Sequence, residues 1–572
     1  MVHPHPPYST PWSRQSMSTP RDQWRSQVGF ILAAAGSAIG LGNIWRFSYL
    51  TYENGGGAFL VPYLIALFLV GIPLMIVEMG LGHFMRASAP VAMGRISPRF
   101  QWVGWWAVLL TLLGIEIYYC VIIAWCLDFT FLSLGLAWGN DPNAYFFKDF
   151  LGLSEGPFDI GLPNPVILLT LALVWGINWW IVRRGVAHGI EQANKIFIPI
   201  LIATTAILVF WSLNLPGAMV GVHAYLSPDW SKLAQGKVWI DAFTQIFFTL
   251  SIGFGIMMAY ASYLPRQAPV VRDALIVSIL NCGFSLFAGF AVFSTLGFMA
   301  QAKGVGIDEV VAQSIGLAFV AYPEAISHMP FLPGLFGFLF FASLTIAGLS
   351  SSVSLVEAFV AALGDRYGLD RKMTVDRVSL LGFAGGIVFT TGAGLFWLDI
   401  VDHFLTQYGL TMIALFEVLA TGWILKSQRL EEHLENAAPF RMRKVYARFM
   451  RIVISLALLG GWLGLTAAGD SLGAMLGRLL LLLALASIWV AHSWFDFSVR
   501  IIIPVILVIL LDGALTQEFA PIFQDGGKWY GGYNGAAVFL LGGGWLLGTL
   551  TAAIAVDRHR PHPHHDQCPA PE

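Results

Sequence analysis

Apolar runs long enough to cross a bilayer recur along the chain, and two of them are interrupted at their centres. About 20 predominantly apolar residues span the hydrocarbon core of a membrane. Residues 28–50 have that length, yet their middle reads Gly36-Ser37-Ala38-Ile39-Gly40-Leu41-Gly42-Asn43. Glycine is about 1 kcal/mol worse than alanine at each helix-interior position. Backbone freed from a helix in lipid costs several kcal/mol per unsatisfied group, so it is tolerated only where it lines a protein cavity. The pattern therefore predicts a broken helix whose loose carbonyls and amides face a site. Phe243 to Tyr263 repeats it, apolar throughout and broken at Ser251-Ile252-Gly253-Phe254-Gly255. Paired interruptions in corresponding halves of a chain point to the midplane site of an inverted-repeat secondary transporter.

The other apolar runs supply the remaining elements. Spans are predicted near 58–82, 102–136, 164–182 and 195–215, then near 237–263, 271–299, 332–362, 377–395 and 400–426. The expected organisation is a polar tail over 1–25, five helices over 26–216, five more over 237–426, further spans over 427–557 and a tail over 558–572. Spans near 499–516 and 534–556 form a final hairpin. Two short runs within 452–495 either cross the membrane, for fourteen helices in all, or lie re-entrant or on its surface. The basic loops around Arg86/Arg95/Arg99, Arg183/Arg184/Lys195, Arg266/Arg272 and Arg366/Arg371/Lys372 alternate with neutral or acidic ones. That alternation puts both termini in the cytoplasm.

Composition agrees. The 572 residues are 57% hydrophobic and 12% charged, with mean hydropathy +0.70, which marks an integral membrane protein. A net charge of −2 and the lack of a basic stripe give no reason to expect nucleic acid. Cys120, Cys126, Cys282 and Cys568 imply no extracellular disulfide framework. No cleaved signal peptide is expected at the N-terminus. The apolar spans hold no paired His or Cys/His constellation, so an intramembrane enzyme is not expected.

These stretches resemble a known family. Gly36 to Phe47 (GSAIGLGNIWRF), with Asn54-Gly-Gly-Gly-Ala-Phe59, is similar to the first-helix signature of the neurotransmitter:sodium symporters. Residues 247–255 resemble their sixth helix, 281–290 their seventh and 347–352 their eighth. The resemblance covers most of 21–426 and is loose beyond it. It implies an all-α polytopic protein whose core is a five-plus-five inverted repeat with discontinuous helices 1 and 6, followed by about four C-terminal helices. The function it implies is sodium-coupled uptake of a neutral, apolar L-amino acid by alternating access, with a non-transporting sensor on the same fold as the alternative.

Site residues follow from the resemblance residue by residue. One sodium ion would take the Ala38 carbonyl, Asn43, Thr249 and Asn281, together with the substrate carboxylate. A second would take the carbonyls of Gly36, Ile39 and Ala347 and the hydroxyls of Ser350 and Ser351. The substrate carboxylate would meet the Leu41 and Gly42 amides and Tyr119, and its amine carbonyls near Ala38, Phe248 and Ser251. Ile115, Phe248, Phe254, Ser351 and Leu355 would wall the side chain. Relatives selective for amines carry aspartate at the position of Gly40, so an intact amino acid is expected here. Chloride is left open. Ser285 stands where chloride-independent bacterial members have a carboxylate, and with Tyr63, Gln245, Thr249 and Asn281 it would form the anion site. Arg46 with Asp402 would close the outside above Tyr119 and Phe248. Arg21 and Trp24 with Ser262, Tyr263 and Asp365 would close the inside.

Two acids stand out. Glu78 is expected to satisfy unwound backbone of the sixth helix. Glu116, in mid-membrane near Tyr119, has three readings: contact with a cationic substrate, a proton relay, or a bond to a neighbouring helix. A monomer and a homodimer both remain open.

Overall fold

The computed structural model describes residues 22–310, 314–437, 494–524 and 529–559, with only isolated positions between 438 and 493. The expected spans within 452–495 and the gate residue Arg21 therefore lie outside the described residues.

The described chain is helical throughout. It opens with a broken span, α1 (Gln27–Ala38) and α2 (Trp45–Glu53), whose halves meet at a 71° bend. Ser26 starts α1 as an N-cap, its hydroxyl accepting from the Gly29 amide at 3.0 Å, which satisfies one of the donors that every helix start leaves free. Four continuous spans follow: α3 (Gly56–Met85), α4 (Pro98–Gly135), α5 (Pro165–Arg183) and α6 (Val186–Leu213). A short helix, α7 (Ala218–Leu226), leads to the second interrupted span, α8 (Gly236–Thr249) and α9 (Ile256–Ser262). Then come α10 (Val270–Lys303), the short α11 (Leu317–Ser327), α12 (Pro333–Tyr367), α13 (Arg371–Thr390) and α14 (Gly394–Ala437). Two further spans are described, α15 (Trp494–Phe519) and α16 (Gly535–Arg558). The core is thus two sets of five spans, each beginning with an interrupted helix.

Element boundaries move where local chemistry outweighs hydropathy. The helix expected from 377 begins at Arg371, because Asp370 caps it by accepting from the Met373 amide at 3.0 Å. That draws a basic turn into the helix. The span expected to stop at 426 runs on to Ala437. Its last part, Ser427–Ala437, is amphipathic, and Leu430 and Leu434, one turn apart, bury against Gly80 of α3.

Helix packing relies on small residues, as expected where lipid offers no hydrophobic drive for association. A Cβ on Gly82 would lie 2.1 Å from the Met258 carbonyl oxygen, which fixes α3 against α9. One on Gly221 would lie 1.6 Å from the Phe293 carbonyl, where α7 meets α10. Large apolar side chains such as Leu169, Phe210 and Leu380 point outward, as a lipid-facing surface requires.

Gly221→Val is expected to destabilise the protein by about 1–3 kcal/mol through overpacking. Gly176→Ala, with nothing within 4 Å of the new carbon, should leave thermal unfolding in detergent unchanged.

Candidate functional site

The two breaks meet through a side chain, and the backbone they release finds partners in the protein. In the α8–α9 connection Ser251, Gly253 and Gly255 have φ of 52°, 86° and 72°, left-handed values that glycine adopts at little cost. Glu78 of α3 reaches this segment, its Oε1 accepting from the Gly253 amide at 2.6 Å. Glu78 thus satisfies the unwound backbone as expected. In the α1–α2 connection Asn43 turns its Oδ1 back to the Gly40 amide at 2.9 Å. The Ser251 hydroxyl crosses between the breaks and donates to the Ser37 carbonyl at 3.2 Å.

One polar cluster forms around Asn43. Its Nδ2 lies 3.0 Å from Thr249 Oγ1, 2.8 Å from Asn281 Oδ1 and 2.8 Å from Ser285 Oγ. Asn281 Nδ2 donates to the same Thr249 hydroxyl at 3.1 Å. Three elements, the first break, α8 and α10, converge here, and all four side chains are at least nine-tenths buried. Beside it the buried Tyr63 hydroxyl has no hydrogen-bond partner among the described residues and faces Cys282 and Ser285, and Gln245 Oε1 is likewise unpartnered.

A second cluster joins α1 to α12. Ser350 Oγ lies 2.9 Å from both the Gly36 and the Ala347 carbonyl oxygens. Ser351 Oγ lies 3.3 Å from the Gly36 and Ala347 oxygens and 3.4 Å from that of Ile39. Five neutral oxygens therefore crowd one spot. An all-oxygen set without a full charge suits a hard monovalent cation.

Between the clusters, Gly40 lies close against two hydroxyls. A Cβ there would come 3.1 Å from Tyr119 Oη and 3.2 Å from Ser351 Oγ. The Tyr119 hydroxyl also faces the Leu41 backbone, where the second half-helix begins and unpaired amides favour an anion. Ile115, Phe254 and Leu355 are buried and Phe248 is half-buried.

The expected gates are only partly assembled. Arg46 and Asp402 make no ion pair. The Arg46 guanidinium lies over the Phe248 ring, 4.4 Å from its centroid, and Asp402 instead accepts from the Tyr118 hydroxyl at 2.5 Å. A desolvated guanidinium gains from an aromatic face, and the tyrosine satisfies the acid. On the opposite side Trp24 is buried and donates from Nε1 to the Tyr260 carbonyl at 2.8 Å. Asp365 accepts from the Ser88 amide at 2.7 Å, Ser262 donates to the Ala259 carbonyl at 2.5 Å, and the Tyr263 hydroxyl donates to Glu357 at 2.9 Å.

Glu357 was not among the expected gate residues. It is fully buried and bound by Arg371 through two hydrogen bonds, at 3.0 and 2.5 Å. The sequence signal was an acid inside an apolar span, which calls for a partner. Glu116 joins none of the pocket residues. It accepts from Ser352 of α12, so the bond to a neighbouring helix is the arrangement observed.

A model of the sodium:neurotransmitter symporter family matches residues 21–143 and 139–466. An uncharacterised sodium-dependent transporter of Methanocaldococcus jannaschii is 47% identical over 439 residues, covering 77% of this chain and 89% of its own length. The sodium- and chloride-dependent GABA transporter 2 of Homo sapiens is 33% identical over 464 residues, covering 74% and 76%. Among solved structures, that of MhsT in complex with L-phenylalanine aligns with a TM-score of 0.66 and 29% identity, covering 86% of this chain and all of that one.

Glu78→Ala is expected to lower stability by about 1–3 kcal/mol, because the Gly253 amide would then be buried without an acceptor. Glu78→Gln, which keeps one acceptor oxygen, should lose markedly less in the same thermal unfolding measurement.

Proposed function

The chain belongs to the sodium:neurotransmitter symporter family, and from that premise we propose that it carries a neutral, apolar L-amino acid into the cell with two sodium ions. Sodium-coupled symport across a membrane is the activity of the family. The substrate, the ion count and the anion are the further reading. The substrate reading rests on Gly40: it carries no acid of its own beside the Tyr119 and Ser351 hydroxyls, so the ligand must bring its own carboxylate. GABA, glycine and taurine, named for relatives, and L-phenylalanine, bound by MhsT, all join an acid group to an amine. The apolar walls at Ile115, Phe254 and Leu355 favour a hydrophobic side chain over a charged one.

In this reading the first sodium takes Ala38, Asn43, Thr249 and Asn281 and touches the substrate carboxylate, which links the two affinities. The second takes Gly36, Ile39, Ala347, Ser350 and Ser351, and holds α1 to α12. Its donor set fits, since five oxygens already converge there. Chloride beside the first sodium, held by Tyr63, Gln245, Thr249, Asn281 and Ser285, is supported by the unpartnered Tyr63 hydroxyl. The carrier would work in the cell's inner membrane with both termini cytoplasmic, as the loop charges favour. Sodium favours the outward-open state and substrate permits closure, because a ligand shifts an equilibrium only by binding one state better. At 100 mV each charge gains about 2.3 kcal/mol, and a tenfold gradient adds about 1.4. Two ions thus supply roughly 7 kcal/mol, enough for about a 10⁵-fold gradient of a zwitterion.

Proteoliposomes with an inward sodium gradient should concentrate a neutral L-amino acid from a radiolabelled panel, and replacing chloride with gluconate should reduce uptake. Sodium-dependent binding without uptake would favour a sensor. Uptake of cationic amino acids alone would overturn the substrate class. Asn43→Ala and Ser351→Ala should each weaken sodium binding at least tenfold, or about 1.4 kcal/mol, while the protein still purifies as a folded species. Unchanged sodium-22 affinity in either variant would remove the corresponding site.

A further inference from the structure

The surface between α5 and α6 carries a groove that no part of the transport reading uses. Its volume is about 360 Å³, within the roughly 300–1,000 Å³ of small-molecule sites. Ile177 and Ile181 of α5 form one wall, Ile196 and Phe197 of α6 the other, and the buried Leu349 of α12 also lines it. Trp180, 51% exposed, and Ile196, 58% exposed, flank it. The groove therefore opens sideways onto the surface that lipid covers.

Its character changes along its length. Arg184, His188 and Gln192 line the end at the α5–α6 connection. From Arg184 back to Ile177 the wall runs about 10 Å into the apolar zone, at 1.5 Å of rise per residue. The nearby acids are already engaged. Asp376 of α13 accepts from Arg183 at 2.9 Å and from the Trp179 indole at 2.6 Å. Glu191 holds Lys195 at 2.6 Å and the Ser26 hydroxyl at 2.8 Å, and Asp22 accepts from the Val186 amide at 3.0 Å. Among the described residues no acid pairs with Arg184, whose guanidinium lies 3.8 Å from the centroid of the Trp180 ring. The Arg25 guanidinium bonds His188 Nε2. Arginine only donates, so that nitrogen accepts and the ring keeps its proton on Nδ1, a further donor. Two guanidinium groups and an imidazole N–H thus stand at the mouth of an apolar groove.

We propose that this groove is a binding site for one anionic phospholipid, its phosphate held by Arg184 and His188 and an acyl chain lying between α5 and α6. The order of the ligand, charge first and hydrocarbon after, matches the order of the lining residues. A soluble phosphate would meet the same cations but leave the apolar walls unfilled. A zwitterionic lipid would bring a cation of its own towards the arginine. Tryptophan gathers at the level where headgroups begin, and the exposed Trp179 and Trp180 mark that level beside Arg184. Basic pockets between spans are suited to anionic headgroups. The site needs only that the chain sits in a membrane, and stands apart from the sodium and substrate readings.

The test uses the full-length protein in dodecylmaltoside, stripped of lipid, with bound lipids counted by native mass spectrometry. The parent protein should hold one phosphatidylglycerol in preference to phosphatidylcholine, and only the former should raise its thermal unfolding midpoint. Arg184→Gln should lower phosphatidylglycerol affinity about fivefold, the share one basic residue contributes at an anionic surface. Arg183→Gln, whose charge Asp376 already answers, should lower it distinctly less. Ala193→Trp, which fills the groove and leaves the cations in place, should also weaken binding. If that variant does not fold, Ile196→Trp at the exposed rim should show the same loss. Equal losses from the two arginine variants would reduce the effect to surface charge and overturn the proposal. So would undiminished binding by the groove-filling variant, or the same thermal shift from inorganic phosphate. A parent protein without preference for phosphatidylglycerol would overturn it outright.

Discussion

Everything in this molecule depends on how backbone released from a helix is satisfied where water cannot reach. Two spans are interrupted at their centres, and each interruption leaves amides and carbonyls that lipid would penalise by several kcal/mol apiece. The protein answers with side chains brought from other spans. Glu78 holds the Gly253 amide, Asn43 the Gly40 amide, and Ser350 and Ser351 the Gly36 and Ile39 carbonyls. The same carbonyls and hydroxyls that stabilise the breaks are those a cation would use. On the sodium reading, stability and ion binding would be two outcomes of one arrangement.

On the sodium reading proposed above, this dual use would let an ion act on the packing of α1 against α12. The second cluster joins α1 to α12 through contacts that are weak one by one, hydroxyls to carbonyls at 2.9–3.4 Å. A cation seated among five such oxygens pulls them together at once, and its departure loosens them together. The Ile39 carbonyl is available because α1 ends at Ala38 and leaves its last carbonyls without intrahelical partners.

The two groups of expected gate residues are bonded differently. On one side Trp24 donates to the Tyr260 carbonyl, while Tyr263 and Arg371 both bond the buried Glu357. On the other, Arg46 rests on Phe248 and Asp402 on Tyr118, with no bond between the charges.

Much of this was legible in the residues alone. Apolar runs and loop charges marked the spans, and Gly36 to Asn43 and Ser251 to Gly255 marked the breaks, because a glycine-rich run inside a membrane-length segment has few other physical explanations. The family resemblance then led to the expectation that Asn43 would meet Thr249 and Asn281, and Gly36 would meet Ser350 and Ser351, and these residues do lie in hydrogen-bond contact. Tertiary structure alone decided what lies far apart in sequence. Helix packing, with close approach at Gly82 and Gly221, determined that Glu357 meets Arg371, that Arg46 turns to an aromatic face, and that Glu116 points at Ser352 and away from the substrate space. Residue type announces that a buried acid needs a partner. Only the rotation and register of each helix against its neighbours, which no single segment encodes, select which partner it finds.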